Sequence, residues 1–94
     1  MSFVHRIKLL ASHYGLYHQQ DKLLEELHEL EEAIGDHKQF PNPYTKAHIA
    51  EEMADVLVVC RQIMQIMDIP VSDIMSRANF KVNRQLWRIR EGRE

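Results

Sequence analysis

Apolar residues recur at helical spacing along almost the whole chain, and the breaks between them are short. Phe3, Ile7, Leu10 and Tyr14 stand at i, i+4, i+7 and i+11, flanked by Val4 and Ala11, which predicts a first helix closed by Gly15. Leu23, Leu27, Leu30 and Ile34, widened by Leu24, predict a second helix from about His18 to Ile34, with Gly35 as its stop. Pro41 and Pro43 cannot sit inside a helix, so Gly35 to Tyr44 reads as a loop, and Thr45 as the N-cap of a third helix reaching about Met67. Asp68-Ile69-Pro70 breaks the chain again, and Ser72 or Asp73 can cap a fourth helix running to about Arg90. Gly92 and the charged end that follows it are expected to fray. No strand, internal repeat or low-complexity tract stands out. The pattern therefore predicts an all-α, four-helix bundle-like single domain over residues 1–94, with helices two and three as an antiparallel pair.

The third helix constrains how that domain is completed. Val56, Leu57, Val58, Val59, Ile63, Met64, Ile66 and Met67 make its second half apolar on most sides, which marks a central helix. A chain of 94 residues has too few other helices to cover it. A second subunit is expected to do so, in a homodimer or homotetramer whose interface uses Val58 to Met67 together with helix four.

Composition excludes several classes. A net charge of −2 and a pI near 6.3 argue against a protein that coats nucleic acid. The single cysteine, Cys60, rules out an internal disulfide; within VLVVC it is expected to be a buried thiol, and a reducing, cytoplasmic setting fits it. No segment approaches the apolar length of a spanning helix, and the N-terminus shows no signal-peptide pattern, so no membrane partner is expected.

Two short acidic motifs carry the chemistry. Glu26 and Glu29 lie in KLLEELHEL, and Glu52 and Asp55 in EEMADVLVV. Each pair is three residues apart and so shares a helix face. One such pair in a chain with 28% charged residues reads as a solvated face. Two pairs at matching edges of apolar stripes, on consecutive antiparallel helices, do not. Val59, Ile63 and Ile66 continue the face of Glu52 and Asp55, so these acids aim at a surface that is otherwise buried. Carboxylates placed there repel one another and lose hydration, and a cation offsets both costs. Four carboxylates from two helices suit a hard divalent ion, Mg²⁺ with Mn²⁺ as a substitute. Glu25 and Glu51 stand close enough in sequence to join the ligand set or to orient water. Glu31 and Glu32 read as surface charge.

With the motifs in view, the chain resembles the MazG-like all-α nucleoside triphosphate pyrophosphohydrolases. That superfamily pairs an E-x-x-E motif on one helix with E-x-x-D on the next, here Glu26/Glu29 and Glu52/Asp55. Its last helix carries a stretch that reads here Ala78-Asn79-Phe80-Lys81-Val82-Asn83-Arg84. The similarity covers roughly residues 18 to 90. It implies Mg²⁺-dependent hydrolysis of a nucleoside or deoxynucleoside triphosphate to the monophosphate and pyrophosphate. Glu26, Glu29, Glu52 and Asp55 would hold metal. Asn79, Lys81 and Arg84 would contact the triphosphate, Lys81 and Arg84 stabilising charge that develops there, and Glu25 or Glu26 would position water. The first helix and the Gly35–Tyr44 segment carry no family motif, so the base is left open.

Arg77, Lys81, Arg84 and Arg88 form one basic face of helix four. Arg and Lys suit phosphate oxygens, whereas Arg88 and Arg90, near the chain end, read as solvated charge. Glu25-Glu26-Leu27-His28 has the Glu-x-x-His spacing of a di-iron bundle ligand pair, but the second Glu-x-x-His that such a site needs is missing. His5, His13, His18, His37 and His48 read as surface residues. Tyr14, Tyr17, Phe40, Tyr44 and Trp87 could each stack on a base or fill a core. A phosphoribosyl-ATP pyrophosphohydrolase-like enzyme and a non-catalytic helical oligomer or regulatory module are the other readings; a nucleotide panel separates the first and absence of turnover the second.

Overall fold

The computed structural model describes residues 1–92. Four helices follow one another: α1 (Phe3–Tyr14), α2 (Leu16–Gln39), α3 (Pro43–Ile66) and α4 (Val71–Arg90), and the described residues contain no strand. α2 and α3 pack most closely, α1 lies mainly on α3, and α4 extends away from this three-helix body. The all-α architecture and the α2/α3 hairpin agree with the sequence reading.

Local chemistry explains the joints. The Ser2 hydroxyl accepts the His5 N–H at 3.0 Å and caps α1. Gly15, at φ 82°, closes α1 by donating to the Ala11 carbonyl and opens α2 by accepting from Gln19 N–H. That left-handed conformation is why a glycine stands there. At the end of α3, Asp68 takes φ 55°. Its N–H reaches the Gln65 carbonyl, and Ile69 N–H reaches the Met64 carbonyl at 2.8 Å, a Schellman closure.

Several boundaries differ from the sequence reading. Gly35 does not stop α2: its φ is not left-handed, and the helix continues to Gln39. Pro41 sets the true limit, since it bars Phe40 from helical geometry. The loop is thus 40–42 rather than ten residues. Asn42, not Thr45, is the N-cap of α3; it accepts from the N–H groups of Tyr44 and Thr45, and the Thr45 hydroxyl returns the bond to Asn42 N–H in a capping box with Pro43 at the first helical turn. α4 starts at Val71 behind Pro70, and neither Ser72 nor Asp73 caps it; Asp73 pairs instead with Arg77 at 2.9 Å. Gly92 does not fray but closes a turn on the Ile89 carbonyl, while Arg93 and Glu94 lie outside the described residues. Cys60 is only half-buried.

The core of the body is thin. Ile7, Ala11, Ala33 and Val59 are its fully buried apolar residues, and no residue of α4 is buried. The radius of gyration is 16.3 Å, against about 12 Å for a compact domain of this length. Arg61 stacks its guanidinium 5.2 Å from the Phe3 ring and so ties α1 to α3.

Candidate functional site

The three-residue α2/α3 turn sets the two helices side by side and brings their acids together. One carboxylate oxygen from each of Glu26, Glu52 and Asp55 lies within 4.8 Å of the other two. Glu26 is 5% and Glu52 9% exposed, while Asp55 reaches solvent. Oε2 of Glu26 and Oε2 of Glu52 are buried without any hydrogen-bond partner. An orphaned buried acceptor costs about 1–3 kcal/mol, and more when it is charged. An all-oxygen, anionic set with two such atoms fits a hard divalent cation.

Glu29 stands half-buried beside this group. The negative charge of Glu26 holds the Glu29 carboxyl above its ordinary range, helped by burial and by the charge of Glu52. Protein side chains answer part of the field. Lys22 Nζ lies 3.0 Å from Glu26 and 3.5 Å from Glu25, and His48 Nε2 is 3.7 Å from Glu52. Glu26 first, and Glu25 next, raise the Lys22 ammonium above its usual value. Glu25 and Glu51 are exposed.

A cleft of about 400 Å³ opens beside the acids. Tyr14, His18, Gln19, Lys22, Glu25, Glu26, Asp55 and Gln62 line it; His18 and Gln19 stand about two turns before Glu26 on α2, and Gln62 two turns beyond Asp55 on α3, so the amides and rings lie along the helices from the acids. The rings of Tyr14 and His18 stack with centroids 4.5 Å apart and planes at 17°. Gln19 and Gln62 are fully buried and joined by a 2.8 Å hydrogen bond.

The structure thus brings together Glu26, Glu52 and Asp55, with Glu29 beside them and Glu25 at the cleft. It keeps Asn79, Lys81 and Arg84 apart: all three are exposed on α4, and none lines the cleft of its own chain. His18 is exposed, as expected, and also lines the cleft, whereas His37 is half-buried with Nδ1 2.7 Å from the Thr45 hydroxyl. Sequence reasoning overlooked Lys22, Gln19 and Gln62. Their signal was spacing: Gln19, Lys22 and Glu26 stand at i, i+3 and i+7, and Asp55 and Gln62 at i and i+7, so polar residues continue both acidic faces. His28 pairs with Glu32 on an exposed face, away from the acids. Among the described residues no helix is long and apolar enough to cross a membrane.

A model of the MazG nucleotide pyrophosphohydrolase domain matches residues 18–86, well over half of the chain. Comparisons with curated proteins and with solved structures returned no match.

Proposed function

Because the chain belongs to the MazG nucleotide pyrophosphohydrolase family, we propose that it hydrolyses a nucleoside or deoxynucleoside triphosphate to the monophosphate and pyrophosphate, with Mg²⁺ as its metal and Mn²⁺ as a substitute. The observation that carries this reading is the acid cluster of Glu26, Glu52 and Asp55, in which Glu26 and Glu52 each keep a buried, partnerless oxygen, beside a nucleotide-sized cleft that Glu26 and Asp55 line. Glu26, Glu52 and Asp55 hold the ion, with Glu29 as the fourth acid. A divalent ion bound there neutralises phosphate oxygens and lowers the pKa of a bound water. Glu25, at the cleft wall, orients the attacking water. Lys22, released from Glu26, offers its ammonium to the phosphates.

Asn79, Lys81 and Arg84 enter this scheme through a second copy. α4 buries none of its residues in its own chain, and a symmetric homodimer or homotetramer would carry it to the edge of another subunit's cleft. Lys81 and Arg84 would then stabilise charge developing on the triphosphate, with Asn79 as a further contact.

A panel of nucleotides with Mg²⁺, scored for pyrophosphate against orthophosphate, tests the reaction. Pyrophosphate from at least one substrate, abolished by EDTA, supports it. Metal-independent turnover, or inactivity throughout the panel, overturns it.

A further inference from the structure

The cleft carries a hydrogen-bond relay whose direction is set at its inner end. The Val58 carbonyl faces Gln62 Nε2 at 3.5 Å. A backbone carbonyl only accepts, so Gln62 must turn its amide nitrogen to it and its Oε1 the other way. Gln19 meets that oxygen with its own Nε2 at 2.8 Å. Gln19 Oε1 is then left as an acceptor, and it is buried without a partner in a side chain only 1% exposed. Flipping Gln19 would set two oxygens against each other, so the relay locks this acceptor in place.

Such an atom at a cleft wall calls for a donor supplied from outside the chain. Its surroundings say which end of a nucleotide brings one. Phosphate oxygens only accept, and they belong at Lys22 and the acid cluster. Tyr14 and His18, whose rings stack on each other and which both line the cleft with Gln19, supply aromatic side chains suited to a heteroaromatic ring.

We propose that Gln19 is a specificity-determining residue whose Oε1 accepts an N–H on the edge of a nucleobase seated against Tyr14 and His18, with Gln62 as the positioning residue that fixes its orientation. This rests on the nucleotide reading above for the presence of a base in the cleft.

Binding tests it without requiring turnover. Nucleoside monophosphates are titrated calorimetrically, in Mg²⁺, against partners whose base N–H is blocked by methylation: N3-methyl-UMP for UMP, N4,N4-dimethyl-CMP for CMP, N6,N6-dimethyl-AMP for AMP and N1-methyl-GMP for GMP. At least one parent should bind about tenfold or more tighter than its methylated partner, the cost of stranding a buried acceptor. In Gln19→Met, which keeps the side-chain volume, that gap should shrink to about threefold or less; a purely steric effect of the methyl group would persist. Gln62→Met should also erode the gap. Gln62→Glu, whose protonated carboxyl can donate to the Val58 carbonyl and still accept from Gln19 Nε2, should keep it where that carboxyl is protonated.

Absence of a gap in the wild-type protein, a gap unchanged in Gln19→Met, or no binding of any monophosphate overturns the inference. So does selectivity that follows the 2′- or 3′-hydroxyl in deoxy analogues instead of the base. If Gln19→Met fails to fold, Gln62→Met against Gln62→Glu carries the test of the relay, and absence of a gap in the wild-type pairs overturns the inference without any variant. A base-dependent gap without pyrophosphate release would sink the hydrolase reading and leave this one standing; pyrophosphate release without the gap would do the reverse.

Discussion

Lys22 Nζ lies 3.0 Å from Oε1 of Glu26, while Oε2 of the same carboxylate has no partner. A cation from the chain itself thus answers half of a buried acid, and the other half still needs one. Both residues are on α2, one turn apart, so this pairing forms with the helix and precedes any ligand.

Competition between Lys22 and metal follows. Lys22→Met should tighten binding of Mn²⁺ by about two- to fivefold, the usual worth of a partly exposed ion pair. The same variant should lower the melting temperature of metal-free protein, because Glu26 loses its nearest positive charge. Calorimetric titration and thermal melts in EDTA check both. Unchanged metal affinity would show that the ammonium does not share the site with the ion.

Loss of a metal-facing carboxylate should separate stability from activity. Glu52→Gln and Asp55→Asn should each cut pyrophosphate release by more than about a hundredfold, above the cost typical of groups that only support a ligand. Helical circular dichroism should be retained. Glu52→Gln should also melt higher than wild type in EDTA, since it removes a buried charge from a repelling group. Near-normal rates in saturating Mg²⁺ would remove these residues from the site.

Glu29 gives metal-free protein a pH dependence with a definite sign. Its carboxyl titrates above the ordinary 4.5, chiefly because of the charge on Glu26. A raised carboxyl binds its proton more tightly in the folded state. Its stabilising contribution is therefore complete below the unfolded value and is lost as pH rises through the folded one. Urea unfolding in EDTA should show stability falling across that window. Glu29→Gln should flatten the slope, and saturating Mg²⁺ should suppress it. An identical slope in Glu29→Gln would assign the effect to another group.

How far the sequence reached can be judged from particular residues. Helix count, the α2/α3 pairing and the convergence of Glu26, Glu52 and Asp55 were readable because 3.6-residue periodicity and three-residue spacing report directly on faces. The end of α2 was not, because glycine is permissive rather than directive: Gly15 takes φ 82° and breaks the helix, whereas Gly35 stays helical. Proline and the Asn42 capping box decided that boundary. Gln19 and Gln62 escaped notice because uncharged amides on an apolar stripe look like interruptions until their partnership across 43 positions is seen. The place of Lys81 and Arg84 was beyond periodicity altogether, since a helix face says nothing about which chain it meets.

α4 yields the last prediction. Met75, Ala78, Val82, Leu86 and Ile89 fall on one side of it at i, i+3, i+7, i+11 and i+14, opposite Arg77, Lys81, Arg84 and Arg88. Met75, Val82, Leu86 and Ile89 are all largely exposed, and the body beside them leaves Leu57 and Met67 exposed as well. So continuous an apolar stripe on a helix that buries none of its residues favours association. A symmetric homo-oligomer in which α4 docks through this stripe, together with the C-terminal half of α3, would cover it and leave the basic side at the rim. Light scattering at micromolar concentration should give at least twice the 11.2 kDa of one chain. Val82→Glu and Leu86→Glu should each lower the mass to that of one chain while far-ultraviolet dichroism remains helical, and pyrophosphate release should fall with it if Lys81 and Arg84 act across the interface. A wild-type monomer would refute assembly outright. Variants that keep the oligomer's size would place its interface elsewhere than on α4.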